Sequence, residues 1–67
     1  MKITYDAEVD ILRIVLSDHA IEESDEDKAG IIIDYDAQGN IVSMEILDAS
    51  QRGLQAHSME YAIVGLK

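Results

Sequence analysis

Apolar and polar residues alternate along the first two thirds of the chain. The alternation runs through residues 3–5, 11–16, 31–35 and 41–47. A period of two is typical of β-strands with one buried face, and the isoleucine-rich third segment favours a strand further. We therefore predict an antiparallel meander of at least four strands. The side chains predicted to face the core are Ile3, Tyr5, Leu12, Ile14, Leu16, Ile31, Ile33, Tyr35, Val42, Met44 and Ile46.

The opposite face of the predicted sheet is mostly polar, as is usual for an antiparallel sheet with one face in water. Three apolar residues, Ile11, Val15 and Ile32, interrupt it, and we predict that they form an apolar patch. Covering such a patch stabilises a small sheet, so we predict a homodimer with twofold symmetry. The polar residues of this face are Lys2, Thr4, Arg13, Asp34, Ser43 and Glu45.

The last third of the chain has a different pattern. Asp48 or Ser50 can cap a helix, and apolar residues between Ala56 and Leu66 recur at helical spacing. Residues 61–66 suit a terminal strand equally well. We predict a short helix near residues 51–59 and an extended tail that pairs at a sheet edge. The predicted fold class is α+β, a single domain over residues 1–67 with a small antiparallel meander and a short C-terminal helix.

Length and charge narrow the functional classes. The 67 residues include 14 acidic and 5 basic side chains, and the formal net charge is −9. Such a chain repels phosphate backbones and anionic membrane surfaces, so we expect neither nucleic acid nor a membrane as a partner. Cysteine is absent, as is any apolar run of about 18 residues. The start shows no signal-peptide pattern, which favours a cytoplasmic protein.

The segment DYDAQGNIVSME raises the question of a calcium site. Asp34, Asp36, Gly39 and Glu45 occupy positions 1, 3, 6 and 12 of the window, the spacing of an EF-hand loop. That loop lies between helices, whereas strand-like segments flank this one. We therefore interpret residues 36–40 as a hairpin turn in which Gly39 takes a positive φ and Asp36 accepts backbone amides. Calcium binding is an alternative function, with weak cation binding at Asp34 and Asp36.

Other chemistry is sparse. Asp48, Ser50 and His57 are the residue types of a hydrolase triad, but no G-x-S-x-G turn surrounds the serine. The two histidines, His19 and His57, lack the spacing of a zinc site. We expect no enzyme, no catalytic residues, no cofactor and no metal, and a small hydrolase is a second alternative.

Two segments, MKITYDAEVDILRIVLS and IDYDAQGNIVSMEILDAS, resemble the small bacterial proteins grouped as domain of unknown function 2283. The resemblance covers roughly residues 1–50. It implies a compact bacterial domain of α+β or mainly-β type, with no established activity and no catalytic residues to transfer. Such proteins are sometimes encoded beside small toxin-like proteins, so the resemblance also points to an antitoxin-like role.

Acidic residues crowd the segment before the third of these strands, which we predict to be a solvated loop. We expect this loop to bind a basic protein partner through electrostatic complementarity, with Ile21 or Ile32 as a buried apolar contact. The alternative is that the acidic run only keeps the protein soluble. The residues predicted to bind the partner are Glu22, Glu23, Asp25, Glu26, Asp27 and Ile32.

Overall fold

A computed structural model describes residues 1–66 of the chain. Its elements are one antiparallel sheet and a single turn of 3-10 helix, so the protein is mainly β. The strands are β1 (Lys2–Asp6), β2 (Ile11–Val15), β3 (Glu23–Lys28), β4 (Ile31–Tyr35) and β5 (Ile41–Leu47), and the 3-10 turn is Ala49–Arg52.

The order of the strands across the sheet is β1-β2-β5-β4-β3, with every neighbouring pair antiparallel. The predicted meander is therefore wrong. Residues 16–22 carry the chain from β2 to the far edge, and β5 returns to lie beside β2 as in a Greek key. Leu16 and Ser17 both donate to the Val42 carbonyl, at 2.8 and 3.2 Å, which fixes the start of this long connection on β5. The alternation of side chains predicts which face of the sheet each residue lies on, but it does not predict which strands are neighbours.

The register confirms the predicted apolar face for the residues within the strands, whereas Leu16 lies beyond β2 and is exposed. Ile3 lies opposite Ile14, which lies opposite Met44, and Met44 in turn lies opposite Ile33. Residues directly opposite in a ladder project from the same face, so this row is apolar across four strands. A parallel row contains Tyr5, Leu12, Ile46 and Ile31.

The acidic segment is a strand, not the predicted loop. Residues Glu23–Lys28 pair with β4 and form one outer edge of the sheet. All six residues are exposed. Acidic residues are poor strand formers, so this strand exists because β4 offers it a ladder of hydrogen bonds rather than because of its own propensity.

The predicted helix near residues 51–59 is also wrong. The chain leaves β5 through Asp48, whose φ of 54° is left-handed, and the 3-10 turn ends at Gly53, whose φ is 82°. A left-handed residue at each end limits the helix to a single turn. Beyond Gly53 the described chain contains no strand, so the tail does not pair at a sheet edge.

The tail instead crosses the apolar face over β1 and β2. Leu54, Ala56 and Met59 line a groove together with Ile3 and Leu12. No helix among residues 1–66 is long and apolar enough to cross a membrane.

Candidate functional site

Strand β3 presents a row of carboxylates at a free sheet edge. It pairs with β4 on one side, and no other described strand lies on its second side. An edge strand leaves alternate backbone N–H and C=O groups without partners in the sheet. The acidic side chains and these backbone groups therefore share one exposed border. The ladder begins at Glu22, whose amide donates to the Tyr35 carbonyl at 2.7 Å.

The predicted partner-binding residues are divided between the two faces of this edge. Glu23 and Asp25 lie in register with Tyr35 and Ile33 of the apolar face. Glu26 lies opposite Ile32 on the other face, so the structure brings these two predicted residues together. The register shifts between Glu26 and Lys28, which places Asp27 at a bulge.

Asp34 is buried in the middle of the polar face, although the sequence marks it as an exposed ligand. Its side chain accepts the Ser24 hydroxyl at 2.6 Å and the Ser43 hydroxyl at 2.5 Å. Burial is the largest influence on its pKa and raises it, but the two hydroxyls and the charge of Arg13 outweigh burial and hold the pKa below its usual value. Asp34 therefore links β3, β4 and β5 as an ionised acceptor.

Asp36 organises the β4–β5 turn, as predicted. Its Oδ1 accepts the backbone amides of Gln38 and Asn40, at 2.9 and 2.8 Å. Its Oδ2 accepts the side-chain amide of Asn40 and lies 3.0 Å from Nδ1 of His19. The hydrogen bond with His19, supported by those from Asn40 and Gln38, lowers the pKa of Asp36 to about 2 against the effect of burial. Gly39 has a φ of 84°, which confirms the predicted hairpin.

The calcium spacing does not produce a converging set of oxygens. Asp34 and Asp36 already accept the hydrogen bonds described above, and Glu45 lies on β5 opposite Arg13 and Ile32. Within residues 1–66, no group of three or more His, Asp or Glu side chains is placed to hold a metal ion.

A second hydrogen-bonded cluster joins the β1–β2 hairpin to the 3-10 turn. Asp10 accepts the Tyr5 hydroxyl at 2.7 Å and the Ser50 hydroxyl at 2.7 Å, and it also accepts the Ser50 amide. The bond from Tyr5, followed by those from Ser50, lowers the pKa of Asp10. The Ser50 hydroxyl thus has an aspartate partner, while His57 packs edge-on against the Tyr5 ring at 6.1 Å.

The predicted patch on the polar face is not formed. Ile11 and Val15 lie on β2 with Arg13 between them, and the register places Ser43 and Glu45 of β5 between β2 and Ile32. All three apolar side chains are half-buried. On β5, Val15 lies opposite Ser43 and Ile32 lies opposite Glu45, whereas Ile11 lies opposite the apolar Leu47. The three residues are therefore separated on this face, and the predicted homodimer stays a prediction.

The family whose description is "Protein of unknown function (DUF2283)" matches residues 2–50. The chain belongs to this family. No curated protein matches the chain, and no solved structure does. The match includes all of the sheet and both Asp10 and Ser50, whereas the tail lies beyond it. Membership of DUF2283 therefore confirms the resemblance and carries no activity with it.

Two contacts around the sheet had no signal in the sequence. Arg52 donates to the Leu47 carbonyl at 2.8 Å and to the Ala29 carbonyl at 2.6 Å, which ties the 3-10 turn to the β3–β4 turn. His19 reaches Asp36 from the long β2–β3 connection. Ala29 lies 23 residues from Arg52 and Asp36 lies 17 residues from His19, so no local spacing indicates these two contacts.

Proposed function

We propose that this chain is a non-enzymatic protein-binding module whose acidic edge strand, β3, binds a basic segment of a partner. The observation that carries the proposal is the position of the carboxylates. They lie along an open sheet edge with every residue of the strand exposed. An edge of this kind can add an extended segment by backbone hydrogen bonds, while its charge selects Lys- and Arg-rich partners.

The chemistry of the other polar clusters supports binding rather than catalysis. The pKa values of Asp10, Asp34 and Asp36 are all lowered, so these groups are ionised and hydrogen-bonded near neutral pH. A general acid or base works best with a pKa near the working pH. Ser50 donates to Asp10, which is a weak base under these conditions.

An antitoxin-like partner of a basic protein fits this proposal. A surface that holds phosphate with Lys and Arg side chains is complementary to a row of carboxylates. Ile32, half-buried beside Glu26, supplies an apolar contact next to the charges. Charge complementarity of this kind raises the association rate and selects the partner, whereas the apolar contact slows dissociation.

The test uses an extended peptide of alternating Lys and Val, with an otherwise identical peptide of Glu and Val as the charge control. Calorimetry at low salt is expected to show binding of the Lys peptide alone. In a variant called the β3 variant, the carboxylates of residues 22–27 are replaced by Gln or Asn. The β3 variant is expected to lose binding of the Lys peptide. Backbone amide shifts on binding are expected in β3.

A matched variant neutralises the same number of exposed carboxylates elsewhere, at Asp6, Glu8, Asp18, Asp48 and Glu60. If both variants bind the Lys peptide equally weakly, net charge alone explains the attraction and the β3 site is wrong. Binding retained by the β3 variant contradicts the proposal as well.

A further inference from the structure

The apolar face of the sheet has an incomplete second layer, because the tail lies over β1 and β2 and no described element lies over β5 and β4. Its two central rows contain eight apolar side chains from β1, β2, β5 and β4, and none of them is fully buried. Across residues 1–66, the buried apolar residues are Val42 and Ala49. A stable domain packs at least two layers around its core, so the part of the second layer over β5 and β4 is missing from the single chain.

The single chain exposes more surface, and is less compact, than a monomeric domain of its mass. The accessible surface is 5333 Å² for a chain of 7.4 kDa, whereas a compact monomer of that mass exposes about 4,200 Å². The excess, about 1,100 Å², includes the exposed tail as well as the apolar face. It is comparable to the roughly 800 Å² that each partner buries in an interface of standard size. The radius of gyration is 13.3 Å, against about 11 Å for a compact domain of this length. The chain is a slab with extents of 38 × 32 × 18 Å.

We propose that a second copy of the chain covers this apolar face, so that two sheets pack face to face about a twofold axis. The face is self-complementary because its central rows contain no charge. Because a single layer does not form a stable domain, whatever completes the second layer must be present whenever the chain folds. A second copy of the same chain meets this condition. A twofold arrangement closes the assembly at two chains.

Charge restricts how the two copies meet. Pairing through the β3 edges would place two rows of carboxylates side by side, and like charges directly opposite destabilise a sheet. The same repulsion disfavours a twofold axis perpendicular to the strands, which lays β3 over β3 of the second copy. An axis parallel to the strands lays β3 over β1 instead, where Lys2 and the N-terminus lie. The acidic edges then remain at the border of the dimer, free for another partner.

The strand order gives a direct test. β5 is the central strand and Met44 lies at its middle on the apolar face, so Met44 of each copy lies near the twofold axis. The chain has no cysteine. The Met44→Cys variant is therefore expected to form a disulfide-linked dimer on mild oxidation. Glu45→Cys, on the opposite face of the same strand, is the control and is expected to stay unlinked.

Sedimentation equilibrium of the wild type at micromolar concentration is expected to give twice the 7.4 kDa mass of the chain. Met44→Lys is expected to give a monomer that does not fold stably, whereas Ile32→Lys on the other face leaves the folded dimer intact. A wild type that sediments only as the monomer overturns the proposal. Crosslinking through Glu45→Cys in place of Met44→Cys also overturns it, since the polar face is then the interface.

Discussion

Single carboxylates connect distant parts of this sheet. Asp34 joins three strands, Asp36 closes a turn and reaches His19, and Asp10 holds Tyr5 to Ser50. Each carboxylate accepts hydrogen bonds from residues that are exposed or buried to different degrees. The loss of unfolding free energy on removing one of these carboxylates therefore depends on whether its donors can form hydrogen bonds with water instead.

Asp34→Ala is expected to lower the free energy of unfolding by about 1–3 kcal/mol, because it leaves the hydroxyl of the fully buried Ser43 without a partner. The loss is measured by urea unfolding. The control, Asp25→Ala on the exposed edge strand, is expected to change stability by less than about 0.5 kcal/mol. In a Ser43→Ala background the cost of Asp34→Ala should shrink, and an unchanged cost contradicts this explanation.

Asp36 predicts a dependence of stability on pH. Its folded pKa of about 2 lies below the value of about 3.9 expected in the unfolded chain. Its stabilisation is therefore complete above about pH 4 and is lost as the pH falls from about 4 through 2. The difference in unfolding free energy between wild type and Asp36→Asn is expected to narrow over that window. A difference that stays constant from pH 5 to about pH 2 contradicts the assignment.

At the scale of elements, the turns hold the sheet edge in place. Gly30 has a φ of 79°, and a Cβ at this position would collide with the Arg52 guanidinium. Gly39 has a similar φ of 84° with open space around it. Substitutions at the two glycines can therefore distinguish the cost of backbone strain from the cost of a clash with Arg52.

Gly39→Ala is expected to cost about 1–2 kcal/mol, the strain of a left-handed alanine. Gly30→Ala is expected to cost more, by roughly 0.5–1.5 kcal/mol for each hydrogen bond of Arg52 that it breaks. Thermal and urea unfolding measure both. In an Arg52→Ala background, Gly30→Ala should cost no more than Gly39→Ala, and an equal cost already in the wild type would show that the Arg52 contact is unimportant.

At the scale of the whole molecule, charge acts with opposite sign on the two proposed interactions. Two copies that each carry a formal charge of −9 repel one another, whereas a basic partner is attracted. Salt screens both effects, since the Debye length falls from about 30 Å at 0.01 M to about 8 Å at 0.15 M. The direction of the dependence on ionic strength therefore distinguishes homodimerisation from binding of a basic partner.

The dissociation constant of the homodimer is expected to fall several-fold as salt rises across that range, while binding of the Lys peptide weakens. Sedimentation and calorimetry at matched ionic strengths measure the two. The β3 variant, with fewer carboxylates, is expected to show a shallower dependence of dimerisation on salt. Two dissociation constants that move in the same direction with salt would contradict one of the proposals.

Four strands, the apolar face and the Asp36 turn follow from the sequence, because side-chain alternation and turn chemistry act over a few neighbouring residues. The placement of β5 beside β2, the strand at residues 23–28 and the burial of Asp34 do not. Each depends on pairing that no local pattern indicates, such as the ladder with β4 for the acidic strand and the hydroxyl of Ser43 for Asp34. The tertiary structure alone decided that the carboxylates form a sheet edge and that the tail lies over β1 and β2 on the apolar face, because hydrogen-bond ladders and layer packing are set by the whole chain.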